Sequence, residues 1–139
     1  MEGWVFWALL SAGFAALTAI LAKIGVAGVD SDLATLIRTV VILALTAGIV
    51  LVSGKARGLG AVEERSWLFL ILSGLATGAS WLAYFRALKL GPASRGAPVD
   101  KLSVVLVAIF AVIFLGERLP PHHWLGVALV AAGAVLLAL

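Results

Sequence analysis

The sequence predicts an all-α membrane protein of five transmembrane helices, and three observations lead there. Several apolar runs match the roughly 20 helical residues needed to cross a hydrocarbon core of about 30 Å. Hydrophobic residues make up 63% of the 139 and charged ones 12%. The mean hydropathy of +1.18 lies far from the balance of a water-soluble domain. The links between runs are too short to house a soluble domain. Five spans, an odd number, put the two ends of the chain on opposite sides of a bilayer.

Span one covers about 4–24. It follows Glu2 rather than a basic stretch and shows no cleavage site, so it is expected to stay in place rather than be removed as a signal peptide. Residues 23–32, with Gly25 and Gly28, lead to span two at 33–52. Residues 53–66, with Gly54, Gly58 and Gly60, lead to span three at 67–89. A turn at Gly91-Pro92 and Gly96 precedes span four. Its apolar core, 102–115, holds only 14 residues, about 21 Å at 1.5 Å per residue. The helix is therefore expected to start near Pro98, a residue suited to a first turn, giving a span of 98–115. Pro120-Pro121 then opens span five, 121–139.

Other chemistries find little support. The net charge of +3 is small and scattered, which argues against nucleic acid, and the absence of cysteine excludes disulfides and thiolate chemistry. His122 and His123 are adjacent, so on a helix they point about 100° apart rather than converging on a metal. Ser53-Gly54-Lys55 lacks the flanking residues of a phosphate loop, and no nucleophile–base pair stands out. Neither catalysis nor a cofactor is expected.

Basic residues are nearly balanced across the membrane. Lys55, Arg57, Arg65 and Arg118 fall on the side of the N-terminus; Lys23, Arg86, Lys89 and Arg95 fall on the other, with Arg38 and Lys101 near it. Orientation follows an excess of Lys and Arg on the cytoplasmic side. The small difference here leaves two readings: one fixed orientation, or dual topology in which the chain inserts both ways up. Trp4, Trp7, Trp67 and Trp124 lie where an interfacial aromatic belt belongs, whereas Trp81 lies well inside span three.

Three groups of residues are candidates for a substrate site. In span three, Ser73, Thr77, Ser80 and Tyr84 share one helical face, beside Gly74 and Gly78 at a spacing that allows close helix approach. That stripe suits a packing seam whose hydroxyls bond carbonyls, but Trp81 and Tyr84 suit the wall of a cavity better. In span four, Asp100 and Lys101 are drawn toward the membrane, where each costs about 2.5–3.5 kcal/mol at mid-span and less near an end. They either face a wet cavity or form an ordinary helix start in the headgroups. In span two, Arg38 either pairs with Asp100 or snorkels to the interface, with Thr35 and Thr39 on a similar face.

The opening WALLSAGFAALTAILAKIGV, the segment WLFLILSGLATGASWLAYFRALKLGPAS, the following APVDKLSVV, the LGERL closing span four and the final WLGVALVAAGAVLLAL bring a family into view. In their order and spacing, over nearly the whole chain, they resemble one repeat of the EamA-type transporters of the drug/metabolite transporter superfamily. The resemblance implies one half of a ten-helix inverted-repeat fold, in the inner membrane of a prokaryote, moving small metabolites or drug-like compounds through a central cavity by alternating access. Typical members carry two repeats; this sequence carries one. It is accordingly expected to act as an antiparallel homodimer that binds a small-molecule substrate through Arg38, Ser80, Trp81, Tyr84, Asp100 and Lys101. The alternatives are a non-transporting membrane subunit, or a lipid-intermediate carrier or flippase component paired with another protein. Glu117, in LGERL, looks structural. The related four-span multidrug exporters depend on a glutamate in their first span, and span one here has no acidic residue between Trp4 and Ala22.

Overall fold

Long apolar runs free of internal proline become helices because, in lipid, each backbone N–H and C=O must find its partner within the segment. The computed structural model describes residues 3–139, and they form six α-helices and a 3₁₀ turn. In chain order these are α1 (Gly3–Val26), α2 (Ser31–Val52), the 3₁₀ turn (Lys55–Ala61), α3 (Glu64–Leu90), α4 (Ala93–Asp100), α5 (Ser103–Phe114) and α6 (Pro121–Ala138). The described residues contain no strand. With α4 and α5 counted as the single stretch Ala93–Phe114, five helical segments are long and apolar enough to cross a membrane. Large apolar side chains stay exposed along all of them, from Trp7 and Leu43 to Leu75, Ile113 and Leu136. A lipid environment is what makes such exposure favourable.

The helix ends follow from local chemistry. Asp30 caps α2: its carboxylate accepts from the backbone N–H of Asp32 at 2.9 Å and of Leu33 at 3.3 Å. The Leu33 N–H, then the Asp32 N–H, hold this carboxyl below its ordinary value of 3.8. Beyond α2, Gly54 takes φ 71°, a left-handed conformation that glycine adopts without steric cost. Gly116 does the same after α5 at φ 67°, and the Glu117 N–H turns back to the carbonyl of Ala111 at 3.2 Å. Pro121 begins α6 at a position where a missing N–H costs nothing.

Span four departs from expectation. Its helix starts at Ala93, ahead of Pro98, and is interrupted rather than continuous. Pro98 lies inside α4, where it cannot donate to the carbonyl four residues back. After Asp100 the backbone tightens: Lys101 N–H bonds Pro98 O, Leu102 bonds Val99, Val104 bonds Lys101 and Val105 bonds Leu102, each at 3.0 Å. These three-residue steps have 3₁₀ character, and α5 resumes at Ser103.

The helices fall into two compact units. The first takes most of α1, through Leu21, with Leu90–Leu139; the second is Ala22–Lys89. In the first, α6 packs against both α4 and α5, and the buried residues of α5 and α6 are alanines: Ala108, Ala111 and Ala134. Small residues let helices approach where lipid gives no hydrophobic drive. Gly74 and Gly78, expected in that role, do not fill it, and the glycines of α6 behave alike. A Cβ at Gly74, Gly78, Gly126 or Gly133 would meet nothing within 4 Å, so within each unit these faces are open. In the second unit the buried residues are Val26, Ser31, Thr35, Phe85 and Leu88, which gather the end of α1, the start of α2 and the end of α3.

Candidate functional site

The polar face of α2 is built from Ser31 upward. Thr35 Oγ1 donates to Ser31 O and Thr39 Oγ1 to Thr35 O, both at 2.8 Å. Hydroxyls that bond their own helix can enter an apolar span without an unmet polar group. Arg38 lies one turn beyond Thr35 on the same side of α2. Its guanidinium carbon lies 4.0 Å from the centre of the Trp81 ring and 5.4 Å from that of Phe85. Trp81 and Phe85 are four residues apart on α3 and so share a face. Arg38 and Trp81 are half-buried, and Phe85 is only 3% exposed. A cation over an aromatic face gains about 0.5–2 kcal/mol, more as water is removed.

The other charges at this end of the unit are occupied. Lys23 Nζ donates to Leu88 O, one of the last carbonyls of α3, which have no partner along the helix. Lys89 Nζ donates to Val29 O at 2.8 Å. Arg86 approaches Asp32 at 3.9 Å, with both side chains well exposed, and Asp30 caps α2. Lys23, Arg38, Arg86 and Lys89 against Asp30 and Asp32 leave 4 − 2 = 2 positive charges in excess.

Of the six residues expected to bind substrate, Arg38 and Trp81 touch. Tyr84 sits one turn beyond Trp81 and is half-buried; Ser80, just before Trp81, is exposed. Thr77, lower on the same stripe, bonds Ser73 O of its own helix at 2.8 Å. Asp100 and Lys101 belong to the other unit, at the break between α4 and α5, where Lys101 Nζ lies 3.3 Å from Asp100 Oδ2. Each candidate charge thus has a partner within its own unit: Trp81 for Arg38, Lys101 for Asp100. Phe85 escaped the sequence reading, although its four-residue spacing from Trp81 was a usable signal.

The profile of the EamA-like transporter family matches residues 2–139. The chain belongs to the EamA-like transporter family. It is a multi-pass membrane protein of that family, with five apolar helical segments. Among its relatives, an uncharacterised transporter from the cobO 3' region of a Sinorhizobium species is 66% identical over 137 residues, covering 99% of this chain and 97% of the relative. A second relative is described as the probable 4-amino-4-deoxy-L-arabinose-phosphoundecaprenol flippase subunit ArnE of Salmonella paratyphi B. It is 35% identical over 71 residues, covering 51% of this chain and 62% of the relative. The Salmonella typhimurium protein of the same description is 36% identical over the same length. No solved structure matches the chain.

Proposed function

We propose that this EamA-like protein is a secondary transporter of small metabolites or drug-like compounds in the inner membrane of a prokaryote. It works by alternating access as an antiparallel homodimer. The stacking of Arg38 on Trp81 inside the span region carries this reading. A cation placed inside a helical membrane segment is expensive, and such residues tend to mark a substrate path. Ser80 and Tyr84 extend the same stretch of α3, and Asp100 with Lys101 form a second polar contact for substrate. The homodimer reading is supported by the nearly balanced basic residues of the five-span unit, because two copies in opposite senses recreate an inverted-repeat plan.

Flux in protein-only liposomes tests the reading. Wild type is expected to move at least one compound from a panel of amino acids, organic anions, cations and nucleobases without ATP. Trp81→Ala and Asp100→Asn are each expected to lower the rate in protein that still folds and inserts. Normal flux in both variants would move the site elsewhere.

A second reading is favoured by one observation: half of the chain is similar to proteins described as flippase subunits. In that reading the chain pairs with a different protein and handles a lipid-linked substrate. Co-purification of a second membrane protein in stoichiometric amount, with no self-association, would select it.

A further inference from the structure

We infer that the Arg38–Trp81–Phe85 cluster is an oxyanion site, so that the substrate carries a phosphate or carboxylate group that docks on the Arg38 guanidinium. This inference rests on the proposed substrate site and names the chemistry that the site accepts.

The charge inventory leads to it. Two ion pairs occur among the described residues, Arg86–Asp32 and Lys101–Asp100, and neither includes Arg38. Both carboxylates at this end of the second unit are committed, Asp32 to Arg86 and Asp30 to the backbone N–H groups that it caps. Lys23 and Lys89 are held on backbone carbonyls. At this end of the unit, Arg38 is the cation set against ring faces, which stabilise the charge but do not neutralise it. A guanidinium over a ring face can still offer its N–H edge to an anion, because those donors lie in its own plane. That edge fits the two oxygens of a carboxylate or phosphate in a bidentate fork. Arg38 lies eight residues beyond the Asp30 cap, about 12 Å along the helix axis, so an anion reaching it is partly out of water and binds more strongly there. A cationic substrate would meet like charge from Arg38 and the excess positive charge around it.

The group could belong to a soluble metabolite or to a lipid headgroup, and binding to the purified full chain separates the two. The probes are inorganic phosphate, hexanoate and dihexanoylphosphatidic acid, with octylammonium as the cationic comparison. Wild type is expected to bind at least one anionic probe saturably and at least tenfold more tightly than octylammonium. Binding of inorganic phosphate or hexanoate points to a soluble anion; binding of the phosphatidic acid alone points to a headgroup. Arg38→Gln is expected to weaken binding at least tenfold. Arg38→Lys, which keeps charge but loses the planar fork, should weaken it several-fold, and Arg57→Gln should leave it unchanged. The inference is overturned if no anionic probe outbinds octylammonium on wild type, a result that needs no variant to fold. It is overturned equally if Arg38→Gln folds and binds as wild type does. Anion binding without flux of any compound would sink the transporter reading and leave the oxyanion site standing. Flux that ignores Arg38→Gln would do the reverse.

Discussion

Arg38 shows how a costly residue is accommodated, within its own unit, against an aromatic face. The sequence marks both Arg38 and Trp81 as out of place in apolar spans, yet spacing along one chain does not reveal that they meet. A carboxylate is the first partner that electrostatics suggests for a guanidinium, hence the expectation of Asp100. An aromatic face carries no formal charge and leaves no comparable signal. Removing it should be costly. Trp81→Ala is expected to lower the thermal midpoint by the equivalent of about 0.5–2 kcal/mol, with Trp81→Phe recovering part of the loss, as read by unfolding in detergent. Asp30 offers a separate test through pH. Its folded carboxyl titrates below the ordinary 3.8, so the cap's extra stability is present above the unfolded value and lost as pH falls through the lower folded value. The thermal midpoint of wild type should drop between pH 5 and strong acid, and Asp30→Asn, which does not ionise, should drop less.

The helices themselves were legible because lipid imposes a simple rule: an apolar run of sufficient length must satisfy its own backbone. The bounds of the third and fourth spans were less so, because helices continue past the apolar core wherever polar residues keep the same hydrogen bonds. Glu64 and Ala93 illustrate this, each starting a helix several residues before the apolar run begins. The break at Asp100–Leu102 was not anticipated, since Pro98 reads equally well as the first turn of a helix. Glycine spacing misled for a related reason: a small-residue pattern identifies a face able to approach a neighbour, not the neighbour. Substitutions should separate the two kinds of glycine. Gly116→Ala places a side chain at φ 67°, and the left-handed conformation costs roughly 1–2 kcal/mol. Gly126→Ala enters open space within α6 and should stabilise the monomer by roughly 0.5–1 kcal/mol. Paired melting curves in detergent decide both.

For the whole molecule, membership of a transporter family and five apolar segments set the architecture, while orientation depends on a nearly even charge balance. A chain that inserts both ways exposes the 3₁₀ turn of some copies and the α3–α4 link of others to the same side of the membrane. The sequence has no cysteine, so single cysteines at Gly58 and Ala93 report cleanly. Both are expected to react with an impermeant thiol reagent applied to intact cells, each in part of the population. Reaction at one position alone would show a fixed orientation and rule out the antiparallel pair.

The tightened backbone at Asp100–Leu102 also changes which way the two halves of span four look. Each residue in a 3₁₀ conformation advances the chain about 120°, against about 100° in an α-helix. Two or three such residues put α5 out of phase with α4 by roughly 40–60°. A helical wheel drawn through 93–114 as one rod therefore assigns the wrong azimuth to everything beyond Lys101. A residue-by-residue reactivity scan of this span should trace two waves of the same period, with a jump in phase where Asp100 and Lys101 stand.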